Sequence, residues 1–151
     1  MSSPHKKFID AATQAKWFRH VRKAHQTETA EDYIELIADL LEHCGEARLS
    51  DLAARLGVSH PTASKVLSRL KDEGYIESQP YRSIFLTAKG RALAKKCKER
   101  HHIILEFLIR LGVSPDTAEY DAEGIEHHIS DETLRVFKNF QAGGAKTSIK
   151  S

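Results

Sequence analysis

The stretch from Ser50 to Leu86 constrains the fold most, because its caps, turns and apolar spacing admit few arrangements. Ser50 reads as the N-cap of a helix Asp51–Leu56, with the Asp51 carboxylate at the positive end of the helix dipole. Gly57-Val58-Ser59 makes a tight turn, and Ser59 caps a second helix whose early Pro61 suits a first turn. Ala63, Val66, Leu67 and Leu70 give that helix one apolar side, and Gly74 ends it. Tyr75–Ser78 and Ser83–Leu86 follow as short alternating strands about a Gln79-Pro80-Tyr81-Arg82 turn. Helix, tight turn, helix and basic-tipped hairpin in this order predict a winged helix-turn-helix.

The flanking segments read as helices. Ile34, Ile37, Leu40 and Leu41 recur at i, i+3, i+6 and i+7 from about Glu31, and Gly45 stops that helix. Thr87 caps a long helix from Ala88 to about Leu111, whose stripe is Leu93, Cys97, His101, Ile104, Leu105 and Leu108. Ser114-Pro115 opens another that runs to about His128, and Ser130 caps a last one, Asp131–Phe140. Residues before His25 fit two readings, an amphipathic helix with Phe8, Ala11, Ala15, Phe18 and Val21 on one side or a disordered basic tail. The predicted fold is therefore mainly α with a small β-hairpin wing. A basic N-terminal extension (1–28) precedes a winged helix-turn-helix (29–90). An all-helical domain (91–141) follows, then a disordered tail (142–151).

Opposite its apolar side the second helix of the reading head presents Thr62, Ser64, Lys65, Ser68 and Arg69. Hydroxyls and two cations without bulk fit a major groove about 12 Å wide. Ser59 and His60 stand at the helix N-terminus, where free N–H groups favour a phosphate. Arg82 at the hairpin turn reaches toward a DNA backbone or minor groove. The same side chains also read as solvated surface cations of a small helical domain.

The net charge of +2 says little, but its distribution is informative. Lys6, Lys7, Lys16, Arg19, Arg22 and Lys23 face only Asp10 before residue 26, and Arg48 to Lys98 is basic again. Glu28–Glu46 and Asp116–Glu132 are acidic, which separates a polyanion-binding surface from a cation-binding one. Cys44 and Cys97 form neither a disulfide framework nor a CxxC pair, and they read as packing residues. With no apolar run of membrane length and no secretory signal, a cytoplasmic location is expected.

On a helix, Glu123, Glu126 and His127 stand at i, i+3 and i+4 and point one way. Carboxylates crowded on one face repel unless protonated or bridged by a cation, and carboxylate plus imidazole suits manganese or iron. Asp32 and Glu35 form a second i, i+3 pair, and His101 faces inward from its apolar stripe. Each has a plainer reading. The acid run Glu28, Asp32, Glu35, Asp39 and Glu42 serves equally as a wet helix face, and His101 as a hydrogen-bonded core histidine.

The segments EDYIELI, LAARLGVSHPTASKVLSRL, FLTAKG, ERHHIILEFLIRLGV and DAEGIEHHIS resemble the diphtheria-toxin-repressor family, most closely its manganese-transport-regulator branch. The likeness runs in order from about Glu31 to Phe140. It implies a two-metal site between reading head and dimerisation domain, with Asp32, Glu35, His101, Glu123, Glu126 and His127 as ligands. The implied cofactor is Mn(II), two ions per subunit, with Fe(II), Co(II) or Cd(II) as substitutes in vitro. The implied partners are a double-stranded DNA operator and a second copy of the chain, without membrane or small organic substrate. The implied role is repression of manganese uptake genes, with a regulator of the same fold that responds to Fe(II) or another ligand as the alternative. In the iron-responsive branch the position of Asp32 holds a thioether and that of Glu123 a thiol; two carboxylates here favour Mn(II). That branch also carries a third, SH3-like domain, which this chain is too short to hold. His102 lies about 100° from His101 around the helix, so His101 is the expected ligand. A metalloenzyme activating water would leave the winged head unexplained, so no enzymatic activity is expected.

Overall fold

The computed structural model describes residues 8–142; Lys6, Lys7 and the expected tail beyond Ala142 lie outside the described residues. The first helix, α1 (Ala11–Cys44), has 34 residues, about 51 Å at the usual rise. It begins well before Glu31, where the sequence placed its start. No Gly or Pro interrupts the chain between Asp10 and Gly45. Asp10 caps the helix by accepting the Thr13 N–H at 2.9 Å, and Gly45 closes it with φ 76°. Of the two readings of the N-terminal residues, the described part is helix and runs unbroken into the reading head.

The reading head comprises α2 (Leu49–Leu56), α3 (His60–Asp72), β1 (Ile76–Glu77) and β2 (Phe85–Leu86). Ser50 is not the cap of α2: Arg48 holds that position without a side-chain hydrogen bond, and Ser50 lies one residue inside. Ser59 does cap α3, its Oγ accepting the Thr62 N–H at 3.2 Å. The antiparallel wing pairs Ile76 with Leu86 and Glu77 with Phe85, and both strands are shorter than expected. Ser83 and Ile84 turn instead to the loop after α1. Ala47 donates its N–H to Ser83 Oγ at 3.0 Å, and Ile84 donates to the Ala47 carbonyl at 2.7 Å.

Thr87 caps α4 (Ala88–Arg110), accepting the Gly90 N–H at 3.1 Å. Then come α5 (Pro115–Ile125) and α6 (Asp131–Ala142), the latter capped by Ser130. The core of the head is Ile34, Ile37, Leu52, Ala63, Leu70 and Ile76, closed by Ile84 and Ala94. Each such Ile or Leu contributes roughly 1.5–3 kcal/mol on burial. The long helix α4 is the spine of the molecule: it packs on α1, α5 and α6. It thereby brings the middle of α1 opposite the C-terminal end of α5. Among the described residues no helix is long and apolar enough to cross a membrane.

Candidate metal centre and nucleic-acid interface

Three elements meet beside α4. Asp32 and Glu35 come from successive turns of α1, His101 from the middle of α4, and Glu123 from the last turns of α5. The sequence placed Glu126 and His127 on the same helix, but α5 ends at Ile125. Glu126 caps it in right-handed geometry (φ −56°, ψ −30°), and His127 follows in a turn. Because Glu126 keeps helical dihedrals, the inward direction survives the helix end. Glu126 is only 1% exposed and His127 is buried, whereas Glu123 lies at the mouth.

The distances bring five of the six expected residues into two groups that overlap at Glu126, and Asp32 joins them through His127, in a third group with Glu28. His101 Nδ1 lies 3.1 Å from Glu126 Oε2 and 3.6 Å from Glu123 Oε1. His127 Nε2 lies 3.1 Å from Asp32 Oδ1 and 3.3 Å from Glu126 Oε1. Donor atoms of His101, Glu123 and Glu126 fall within 4.8 Å of one another, as do those of Glu35, Glu126 and His127. Glu126 belongs to both.

This arrangement is electrostatically unsatisfied by protein alone. Burial, then the charges of Glu35 and Glu123, push the Glu126 carboxyl up to about 8. Burial likewise raises Glu35. Glu35 Oε1 and Glu126 Oε1 are buried without a hydrogen-bond partner, a condition that normally costs stability. Opposing its burial, Asp32 and Glu31 hold the His127 imidazolium and raise it to about 10. Orphaned carboxylate oxygens beside two imidazoles, with no sulfur donor among the six, fit a hard divalent cation. Cys97 packs near Glu35, but burial and the adjacent Glu31 and Glu35 charges keep it a thiol.

Sequence reasoning missed the residues that orient the two imidazoles. Glu31 is buried, and its Oε2 meets His127 Nδ1 at 2.8 Å. Arg100 braces Glu31 at 3.8 Å and Asp131 at 3.2 Å. Glu119 Oε2 meets His101 Nε2 at 2.7 Å. Each ring thus has a carboxylate on one nitrogen and turns the other toward the cluster, as outer partners of ligating histidines do. Glu31 was hidden in the acid run of α1, and no spacing rule marks Glu119 or Arg100. His102 points away and pairs with Glu106 at 3.0 Å.

At the reading head, His60, Ser64, Lys65 and Ser68 are exposed on α3. His60, Ser64 and Ser68 line a groove shared with the wing, together with Lys71 and Gln79, which the sequence did not single out. Lys71 Nζ donates to the Ser78 carbonyl at 3.0 Å, bracing the wing against α3. Ser59 and Thr62 spend their hydroxyls on the cap, with Ser59 Oγ donating to Thr62 Oγ1 at 2.8 Å. Arg69 departs from the others: it pairs with Glu73 at 3.7 Å and borders a cleft beside Gln26 and Ala30 of α1. At the wing tip Arg82 is joined by Tyr81, which is 99% exposed with a left-handed φ of 63°.

The chain matches the family described as iron dependent repressor, N-terminal DNA binding domain, over residues 25–84. It matches the iron dependent repressor metal binding and dimerisation domain over residues 87–142. A transcriptional regulator MntR of Escherichia coli O6:H1 is 52% identical over 139 residues, covering 91% of this chain and 90% of that protein. An HTH-type transcriptional regulator MntR of Listeria monocytogenes serotype 4a is 41% identical, covering 69% of this chain and 73% of that protein. Among solved structures, a manganese-dependent transcriptional repressor in complex with manganese is 30% identical with a TM-score of 0.68. The manganese regulator SloR is 28% identical with a TM-score of 0.65. Each match covers 75% of this chain, which spans about half of those solved chains (52% and 53%).

Proposed function

Because this chain belongs to the iron dependent repressor family, that of the diphtheria-toxin repressor, we propose that it is a DNA-binding repressor switched on by Mn(II). The observation that carries the metal reading is the sharing of buried Glu126 by two donor groups, with oxygens on Glu126 and Glu35 that lack a hydrogen-bond partner. Asp32, Glu35, His101, Glu123, Glu126 and His127 are the residues that would hold two ions per subunit. A bound divalent ion supplies the positive charge that lets these carboxylates sit together ionised.

The rest of the mechanism belongs to the chain. Glu126 and His127 give up their protons on loading, and Glu31 and Glu119 hold the two imidazoles in register for it. Asp32 and Glu35 lie on α1, whose later turns are part of the head's core through Ile34 and Ile37. A link between them and the end of α5 would fix the orientation of α3. Two heads of a dimer must meet half-sites about a helical turn apart, so fixing their orientation strengthens binding without contact between ion and DNA. At the operator, Lys65 and Lys71 would contact phosphates, His60, Ser64 and Ser68 would enter the groove, and Tyr81 and Arg82 would reach the backbone. A manganese-dependent repressor and a manganese regulator among the similar solved structures support the choice of ion, and by the family resemblance manganese-uptake genes would be the targets.

The test is fluorescence anisotropy of metal-stripped protein on a manganese-uptake promoter, titrated with Mn(II), Zn(II) and anaerobic Fe(II). Mn(II) is expected to raise affinity by about five- to 150-fold, the usual range of allosteric coupling. Glu126→Ala is expected to abolish that response. Equal affinity with and without metal would overturn the activator reading.

A further inference from the structure

A second set of donors lies beside the centre and takes no part in it. His25 and Glu28 stand one turn apart on α1, upstream of Asp32 and Glu35, and His128 occupies the turn after α5. His25 Nδ1 lies 3.2 Å from Glu28 Oε2, and His128 Nε2 lies 3.0 Å from the same oxygen. The two rings meet edge to face, centroids 4.8 Å apart at 71°. We propose that His25, Glu28 and His128 form a third divalent-cation site, with two imidazoles and one carboxylate, suited to Zn(II) or Co(II).

Spacing, donor type and position support it. Donors about 2.0–2.2 Å from a tetrahedral ion lie about 3.3 Å apart, and the contacts on Glu28 Oε2, at 3.2 and 3.0 Å, have that length. An imidazole-rich set is better matched to borderline ions such as zinc than the carboxylate-rich centre next to it. The donors also come from elements 100 residues apart, so an ion here cross-links them. His25 belongs to the N-terminal half of α1, where Trp17, Phe18 and Val21 are exposed. Fastening that half to His128 would also steady the neighbouring His127. Glu28 falls within 4.8 Å of Asp32 and His127 donors, which places the third site directly against the centre.

None of the six residues proposed to hold Mn(II) is used, but Glu28 also lies within reach of Asp32 and His127, so the test is run with and without an intact centre. The alternative is a carboxylate that merely accepts hydrogen bonds from two neutral imidazoles. His25→Gln distinguishes the two, since glutamine keeps a donor for Glu28 and removes the imidazole ligand. Metal-stripped full-length protein is dialysed to equilibrium against Zn(II), and bound metal per subunit is counted. The unsubstituted protein is expected to bind one ion more than His25→Gln, with circular dichroism and dimer mass unchanged. The same loss of one ion is expected when His25→Gln is added to Glu126→Ala, which reports on this site in the absence of an intact centre. Equal counts with and without His25 in both backgrounds overturn the proposal.

Discussion

Glu126 and His127 carry opposite charges when ionised, yet in the metal-free protein both titrate in the direction of the bound proton. Glu126 is pushed up to about 8 from 4.5, first by burial and then by Glu35 and Glu123. Its neutral form therefore favours folding, and that advantage is lost as pH rises from 4.5 through 8. His127 is raised from 6.5 to about 10 against its burial, chiefly by Asp32 and Glu31. Its imidazolium contributes stability that is fully present below 6.5 and lost as pH rises through 10. The two signs agree, so the thermal midpoint of stripped protein is expected to fall between about pH 6 and about pH 9. Ligation removes the same protons, so Mn(II) is expected to raise the midpoint more at the alkaline end. A midpoint that rises with pH in stripped protein would contradict the assignment of these two groups. Helical spacing and an apolar stripe made the six clustered residues candidates beside plainer readings, and only the family resemblance named them as one set. Glu31, Glu119 and Arg100 were not legible, since orienting a ring is a relation between elements and leaves no local pattern.

At the scale of elements, local chemistry was legible and pairing between elements was not. Ser59, Thr87 and Ser130 were read correctly as caps because a cap is decided within four residues, whereas Ser50 was not, since α2 starts at Leu49 with Arg48 in the cap position. The wing strands came out short because Ser83 and Ile84 bond to Ala47, a partner that no strand pattern reveals. The junction of wing and α4 is equally tertiary: a Cβ on Gly90 would collide with the Tyr75 carbonyl and crowd Leu86. Gly90→Ala is therefore expected to destabilise the head by about 1–3 kcal/mol, as overpacking does, despite the better helix propensity of alanine. Urea unfolding checks it, and a neutral or stabilising result would mean that the backbone can give way there. On α3 the cations divide by position. Lys65 is exposed, whereas Arg69 pairs with Glu73 at 3.7 Å. Lys65→Ala is expected to weaken binding to all DNA sequences alike and to lower the salt slope by about one. Unchanged binding would place the recognition surface elsewhere, nearer the groove between α3 and the wing.

For the whole molecule, the decisive feature is that one helix carries both candidate metal donors and core residues of the head. α1 carries Glu28, Asp32 and Glu35 along one side while Ile34, Ile37 and Leu40 lock the same turns into the core of the head. An ion held between α1 and the end of α5, as proposed, would therefore move or fix the head as one body. Ile109, Leu111, Tyr120, Val136 and Phe140 are exposed apolar side chains of the helical half that a dimer could bury. A dimer built there would carry two heads whose relative orientation depends on the centre. The chain offers its own reporter, because Cys44 is exposed at the C-terminal end of α1 while Cys97 is buried. Burial and neighbouring carboxylates keep the Cys97 thiol unreactive, so dyes would attach at Cys44 alone. In donor–acceptor-labelled dimers, Mn(II) is expected to narrow the distribution of single-molecule transfer efficiencies between the two heads. Glu126→Ala dimers should keep the broad distribution at every Mn(II) concentration. If both proteins are equally narrow without metal, the heads are already fixed, and a rise in DNA affinity would have to come from electrostatics rather than from restrained motion.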